Sequence, residues 1–294
     1  MKKTLIAGLL IIFLYSPQEA SARPLRVFVS ILPQKYFAEK IGGDLVDVAV
    51  MVEPGANPQT YEPKPKQMLA LAKTSIYLAI GVPFETTWLA KIAATNPNML
   101  VVHTDAGIKK IPMMAHHRES ELEEDRHGIQ DPHVWLSPPL VIIIAENMLQ
   151  AFIKVDPAHR LIYEKNHNSF VKELVVLDAE IRATFRGKGK AVEFMVFHPA
   201  WGYFAQAYGL EQVPIELEGK QPKAAELQRL IQYAKQRGIK VIFAQPQFSR
   251  QAAQAITESI GGQIVLADPL AADWDRNLRQ VASKFKAALK WGAK

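Results

Sequence analysis

The sequence predicts an α/β fold made of mostly parallel sheets flanked by helices. Short β-branched runs alternate with helical stretches between residues 25 and 102, and a second alternation begins at residue 192. Such alternation is typical of βαβ units. One long helical stretch without glycine or proline separates the two series. We therefore expect two α/β series, one on either side of a long helix.

Residues 1–22 predict a secretory signal peptide. Lys2 and Lys3 precede a short apolar run, and Ala20-Ser21-Ala22 ends the segment. The run is too short to cross a bilayer core of about 30 Å as a helix. The chain contains no cysteine, so a lipid-modified cysteine, a disulfide and a thiolate metal site are all excluded. We expect a soluble periplasmic protein without a lipid anchor, with about 270 residues left for two ordinary domains.

The charge of the chain argues against nucleic acid as a partner. The formal net charge is +6, and the lysines and arginines form no basic block. Binding to a phosphate backbone needs a concentrated basic surface. We expect a monomer.

The first α/β series consists of short predicted strands that alternate with short predicted helices. Its β-branched runs predict strands, and the stretches between them, closed by features such as Gly42-Gly43, predict helices. The predicted strands are 25–30, 46–52, 75–80 and 99–102, and the predicted helices are 34–41, 65–73 and 85–94. Residues 112–130 are charged and irregular, which predicts a mobile surface loop. A further helix is predicted from Pro138 to residue 152.

The long helix is predicted over residues 158–185. Asp156 is placed to cap it, and Pro157 is suited to its first position. Its apolar residues recur at steps of three and four, as a helix face requires. They are Phe170, Leu174, Leu177, Ile181 and Phe185.

The second series follows Gly187-Lys188-Gly189. Strands are predicted at 192–197, 240–243 and 263–266, and helices at 201–208, 224–236 and 250–259. No internal repeat aligns the two halves.

Polar residues just after predicted strands are the candidates for a binding site, because ligands of open α/β sheets bind beyond the carboxyl ends of the strands. His198 and Asp268 stand at such positions, and His133 stands where the charged loop ends. Imidazole nitrogens and a carboxylate suit a borderline divalent metal. Taken singly, each has a structural alternative, because a histidine or aspartate next to a proline is commonly a turn or loop residue.

Three segments resemble the metal-site motifs of the zinc and manganese solute-binding proteins of ABC importers (ZnuA-like, cluster A-I). They are residues 54–63 (PGANPQTYEP), 131–138 (DPHVWLSP) and 197–210 (FHPAWGYFAQAYGL), and the similarity runs in order over essentially the whole mature chain. The resemblance implies two lobes joined by one long backbone helix, with a metal in the interlobe cleft. It also implies delivery of the metal to an ABC permease of the inner membrane.

We expect a signal peptide (1–22), an N-terminal α/β lobe (23–155), a linking helix (156–187) and a C-terminal α/β lobe (188–294), and the resemblance implies that the helix joins the two lobes. The resemblance carries over His133, His198 and Asp268 as metal ligands. The manganese branch usually has a carboxylate at the position of His198, so this histidine favours Zn²⁺ as the cargo.

Gln59 departs from the family pattern, because Asn57-Pro58-Gln59 stands where the family has Asp-Pro-His. Three alternatives stay open for this fourth position. Gln59 coordinates through its amide oxygen or through a water that it holds, or a substitute such as Glu62 or a loop histidine takes its place, or the site is lost or repurposed. A site richer in oxygen would favour Mn²⁺ or Fe²⁺ over zinc. An adhesion-type binding protein with a weakened site is the remaining alternative.

The charged loop is a possible auxiliary metal site. It carries His116, His117 and His127 among five carboxylates, and zinc-specific relatives carry a histidine-rich and acid-rich loop at this place. Such a set can hold a metal transiently, and a solvated charged loop is an equally good interpretation. His103, His159 and His167 receive no role.

The sequence carries no signature of an enzyme. A zinc hydrolase requires an open coordination position with a general base, usually on a His-Glu-x-x-His helix, and that pattern is absent from the printed sequence. A Gly-x-Ser-x-Gly elbow and a phosphate-binding glycine loop are absent as well. We expect binding without catalysis.

Overall fold

The computed structural model describes residues 23–113, 130–187, 192–216 and 221–289. Four strands and four helices form the N-terminal part, and four strands and four helices form the C-terminal part, with one long helix between them. The N-terminal elements are β1 (Leu25–Val29), α1 (Leu32–Gly42), β2 (Val46–Val50), α2 (Pro65–Leu71), β3 (Ile76–Ala79), α3 (Pro83–Thr95), β4 (Leu100–His103) and α4 (Pro138–Val155). The long helix is α5 (Arg160–Phe185). The C-terminal elements are β5 (Val192–Val196), α6 (Gly202–Tyr208), β6 (Leu210–Pro214), α7 (Ala224–Gln236), β7 (Val241–Ala244), α8 (Gln251–Ile260), β8 (Gln263–Leu266) and α9 (Trp274–Leu289).

Each part contains one four-stranded, fully parallel sheet, and the two sheets share one topology. Their strand orders are β2-β1-β3-β4 and β6-β5-β7-β8. All residues of the inner strands β3 and β7 are buried, because helices cover both faces of a parallel sheet. The predicted fold class is confirmed. The shared topology is a structural repeat that the sequence does not reveal by eye.

In both sheets the strand order reverses beside the first strand of the series. The chain leaves β1 on one side to form β2 and crosses to the other side for β3, and β5, β6 and β7 repeat this path. The loops that follow neighbouring strands diverge at such a switch point and leave a crevice. The crevice of the C-terminal sheet lies beyond the carboxyl ends of β5 and β7. His198 follows the first of these strands and Gln245 follows the second.

Helix α5 is the linking helix, and the five apolar residues predicted to form its inner face are buried. It packs against α1 and α4 of the N-terminal part and against α6 and α9 of the C-terminal part. Trp274 of α9 meets Phe37 of α1 edge to face, with ring centroids 4.9 Å apart. One continuous buried core therefore runs through both parts, and a smaller core fills the outer face of the C-terminal sheet.

The start of the long helix differs from the prediction. Pro157 and His159 belong to a short 3-10 turn, and α5 begins at Arg160 without a side-chain cap. The carboxylate of Asp156 instead accepts hydrogen bonds from the Tyr163 hydroxyl at 2.8 Å and from His159 Nδ1 at 2.7 Å. The predicted cap was wrong because two nearby side-chain donors satisfy Asp156 in place of the backbone.

One strand and one helix of the C-terminal part were not predicted from the sequence. Strand β6 contains Glu211 and Gln212 and ends at Pro214, so it lacks a β-branched run. Helix α9 carries a clear apolar stripe, which could have been found by its spacing. The stripe consists of Trp274, Leu278, Val281, Ala282, Phe285 and Leu289.

Helix α4 is, among the described ranges, the one helix long and apolar enough to cross a membrane, with a mean hydropathy of 1.4. It packs on α5 and α1 and beside β4. Its side chains Ile144, Met148 and Phe152 are fully buried in the shared core. We interpret α4 as a core helix.

The lobe boundaries at residues 23–155, 156–187 and 188–294 stay predictions. The predicted signal peptide (residues 1–22) and most of the charged loop, including His116, His117 and His127, lie outside the described residues. The loop's two ends meet in an antiparallel bridge between Pro112 and Gln130.

Candidate metal centre

A small cavity lies between the two parts, at the carboxyl ends of strands from both sheets. Its walls include Gln59 after β2, Val82 after β3, His198 after β5, Gln247 after β7 and Pro269 after β8. His133 and Trp135 line it from the segment before α4. The cavity has a volume of about 20 Å³, enough for roughly one water-sized species.

His133 is held by the aspartate two residues before it. One carboxylate oxygen of Asp131 accepts the His133 backbone N–H at 2.9 Å and the ring Nδ1–H at 2.7 Å. Because a carboxylate only accepts, Nδ1 carries the proton and Nε2 is left with its lone pair. Asp131 and His133 are both buried.

His198 is held on three sides. Its Nδ1 donates to Glu216 Oε1 at 3.1 Å. The Gln245 side chain brackets its backbone, accepting from the N–H at 3.0 Å and donating to the C=O at 2.8 Å. The Phe248 ring stacks on the imidazole with a centroid distance of 4.4 Å. These contacts fix the ring and again leave Nε2 as the free nitrogen.

The two free nitrogens face each other. His133 Nε2 and His198 Nε2 are 3.3 Å apart. With both protons on Nδ1, two lone pairs oppose one another, an arrangement that a cation between them would stabilise. Two nitrogens bound to a tetrahedral zinc at about 2.0–2.1 Å lie about 3.3–3.4 Å apart. The observed spacing matches that geometry.

Burial favours the neutral state of His198. Desolvation lowers the pKa of the imidazole, and the nearby His133 lowers it further, while the hydrogen bond to Glu216 acts in the opposite direction. The lone pair on Nε2 is therefore available at neutral pH. A metal ligand requires that neutral form.

Gln59 lies in the cavity wall, as the sequence comparison with the family motif anticipated for this position. Its backbone N–H donates to Asn57 Oδ1 at 2.9 Å, which closes a tight turn and positions the loop after β2. Gln59 therefore belongs to the cleft wall, and coordination by its amide oxygen stays a prediction.

Asp268 is engaged with its own lobe. Its Oδ1 accepts from Gln247 Nε2 at 2.8 Å and from the Leu270 backbone N–H at 2.9 Å. Within the described ranges, His, Cys, Asp and Glu side chains form no group of three that could hold a metal. Asp268 as a ligand stays a prediction, and Asp268 is not among the residues that line the cavity. Glu62 is exposed and does not line the cavity.

Several residues that shape this site were not identified from the sequence. Asp131 had a signal, since it stands two residues before a candidate ligand in the quoted motif. Glu216 had none, because the strand that precedes it was missed. The segment after β7 carries Gln245, Gln247 and Phe248. It contains no histidine or carboxylate, so the sequence did not indicate a metal-site residue there.

Comparison with known proteins supports a metal-transport role for this fold. The family model described as zinc-uptake complex component A, periplasmic, matches residues 27–288. The high-affinity zinc uptake system protein ZnuA of Bacillus subtilis (strain 168) is 31% identical over 253 residues, covering 84% of this chain and 78% of that protein. The iron-binding protein YfeA of Yersinia pestis is 26% identical over 247 residues, covering 83% and 76%.

A crystal structure of ZnuA superimposes with a TM-score of 0.84 at 42% identity, covering 90% of this chain and 99% of that one. The expectation that the chain is not an enzyme is confirmed by the family match, since the family is one of uptake components. The chain belongs to the family of periplasmic A components of zinc-uptake complexes.

Proposed function

We propose that this protein captures one Zn²⁺ ion in the cleft between its lobes and delivers it to the permease of an ABC importer. It acts in the periplasm as a soluble monomer without a lipid anchor. The observation that carries the proposal is the pair of Nε2 atoms 3.3 Å apart, each opposite an Nδ1 that is held by a carboxylate. Membership of a zinc-uptake family supports the choice of cargo.

The proposed ligands are His133 and His198, with Asp268 and the position of Gln59 completing the set. The two histidines come from different places in the chain, one before α4 and one after β5. A shared ion would therefore link the segment before α4 to the C-terminal sheet, whose histidine already lies close to it. Two imidazoles with few charged oxygens suit zinc better than a hard cation such as Mg²⁺ or Ca²⁺.

Capture and release need only small motions. Trp135 Nε1 donates to the Pro269 carbonyl at 2.7 Å, and Trp274 Nε1 donates to the Trp135 carbonyl at 2.8 Å. These buried bonds join the segment that carries His133 to the C-terminal lobe. We infer that the ion leaves by local movement of cleft loops and not by wide opening of the lobes.

The test is a zinc titration of the mature protein by calorimetry. The wild type should bind one equivalent, and His198→Ala should largely abolish binding, because it removes one of two paired donors. His103→Ala is the matched control, since that histidine is exposed at the end of β4. Wild-type binding no tighter than about millimolar, worth only about 4 kcal/mol, would contradict the proposal.

A second candidate cargo is Mn²⁺ or Fe²⁺. Gln59 in the cavity wall favours it, because an amide oxygen there makes the donor set harder than a third imidazole would. The iron-binding relative YfeA is consistent with this cargo. Competition between Mn²⁺ and Zn²⁺ for the wild type and for Gln59→His separates the two cargoes. We expect the variant to bind zinc on the order of tenfold more tightly, about 1.4 kcal/mol. Unchanged zinc affinity would mean that Gln59 does not face the metal.

A further inference from the structure

Gln247 carries a buried amide oxygen that nothing in the described part of the chain satisfies. The residue lines the cavity together with His133 and His198, yet its Oε1 accepts no hydrogen bond there and is closed off from water. Leaving a buried acceptor without a partner costs about 1–3 kcal/mol. An unpartnered acceptor on a residue that lines a cation-sized cavity points to a partner that the described residues do not supply.

The orientation of this amide is fixed by Asp268. Gln247 Nε2 donates to Asp268 Oδ1 at 2.8 Å, and the same oxygen accepts from the Leu270 backbone N–H at 2.9 Å. Turning the amide over would place its carbonyl oxygen against a carboxylate oxygen, and neither can donate. Oε1 is therefore held on the side away from Asp268.

Gln247 follows β7, the strand that lies between the two strands leading to His198 and Asp268. Strand β7 lies between β5, which ends before His198, and β8, which ends before Asp268. The residues after β7 contact both His198 and Asp268. Gln245 and Phe248 hold the backbone and the ring of His198, while Gln247 holds the carboxylate of Asp268.

We propose that Gln247 is a further metal-site residue of this chain, which fixes Asp268 through Nε2 and offers Oε1 as an uncharged oxygen donor to the ion held by His133 and His198. The inference rests on the proposed function. It gives the site a neutral oxygen from the C-terminal lobe, in addition to any contribution from Gln59 on the opposite wall. An extra neutral oxygen makes the site harder, and it moves the selectivity toward Mn²⁺ and Fe²⁺ relative to a site with imidazoles alone.

The experiment compares Gln247→Leu with the wild type in the mature protein. Zinc affinity is measured by calorimetry, and the coordination sphere is measured from the visible absorption bands of bound Co²⁺. Gln254→Leu is the matched control, since that glutamine is exposed on α8 of the same lobe. Circular dichroism checks folding, and Gln247→Ala replaces the leucine variant if the latter does not fold.

We expect Gln247→Leu to weaken zinc binding about tenfold, a typical loss for a residue that supports a metal site. We also expect the Co²⁺ bands to shift, because the number or type of donors changes. The Gln254→Leu control should match the wild type in both measurements.

Two results overturn the inference while the wild type still binds zinc. One is an unchanged zinc affinity in Gln247→Leu. The other is a weaker affinity with unchanged Co²⁺ bands, which would limit Gln247 to holding Asp268. Failure of the wild type to bind zinc would instead overturn the proposed function, and this inference with it.

Discussion

At the scale of single residues, two carboxylates decide what the histidines can bind. Asp131 and Glu216 each accept the Nδ1 proton of one imidazole, so both Nε2 lone pairs point into the cleft. All four side chains are buried. A carboxylate behind an imidazole raises its basicity and fixes its orientation, and both effects strengthen metal binding. The pair of histidines is therefore organised before the ion arrives.

The first prediction concerns pH. Zinc requires neutral imidazoles, and burial lowers the pKa of His198, so this residue stays neutral to below the ordinary histidine value of about 6.5. We expect protonation of His198 to reduce zinc affinity only below about pH 6.5. Competition titrations with a chelator of known pH dependence measure this. A large loss of affinity already between pH 8 and pH 7 would contradict the prediction.

At the scale of elements, the start of helix α6 fits closely against the segment that carries His133. The Tyr203 hydroxyl donates to the Asp131 carbonyl at 2.9 Å and accepts from the Ile111 backbone N–H at 3.1 Å. Gly202, the first residue of the helix, lies so near that an added Cβ would come within 2.7 Å of Asp131 Oδ2 and 3.2 Å of Gln212 Nε2. A side chain at this position would therefore have to displace the Asp131 carboxylate.

The second prediction is that Gly202→Ala weakens zinc binding by about tenfold. The new methyl group would displace the carboxylate of Asp131, and loss of such an orienting partner typically costs 10-fold to 100-fold in metal affinity, as a rough range. Calorimetry with zinc measures the effect. Gln206→Ala, at an exposed position on the same helix, is the control and should bind like the wild type. Equal affinities for both variants would show that Asp131 adjusts without cost.

At the scale of the whole molecule, the two lobes share one hydrophobic core. Helix α9 belongs to the C-terminal part, yet Trp274 at its start packs on Phe37 of the N-terminal part and donates to the Trp135 carbonyl beside the cleft. Helix α5 contacts both parts along its length. Because the interface between the lobes is large and hydrophobic, we expect the two lobes to unfold together.

The third prediction follows from that shared core. Trp274→Ala removes a large, fully buried side chain and should lower the free energy of unfolding by about 3–5 kcal/mol. Urea unfolding followed by circular dichroism should give a single transition at a lower midpoint. Trp274→Phe retains most of the packing and loses the hydrogen bond to Trp135, so it should cost less. Two separate transitions in the wild type would contradict a shared core.

Most of the fold was predictable because local patterns carry it. Strand β7 is entirely apolar because both of its faces are buried. The apolar residues of α5 recur at steps of three and four because one face of the helix is buried. Strand β6 was not predictable, since it contains polar residues such as Gln212 whose hydrogen bonds form only in the folded chain. There Gln212 accepts from the Trp201 backbone N–H at 3.0 Å.

By itself, the sequence determined the α/β class, the long central helix and, through its family motifs, His133, His198, Asp268 and Gln59 as candidates. Each of these depends on residue type and local spacing. Only the tertiary structure decided that the two histidine Nε2 atoms lie 3.3 Å apart, that Glu216 stands behind one of them, and that Asp268 is bound to Gln247. Those contacts join residues far apart in the chain, and their distances follow from how two sheets pack around one helix.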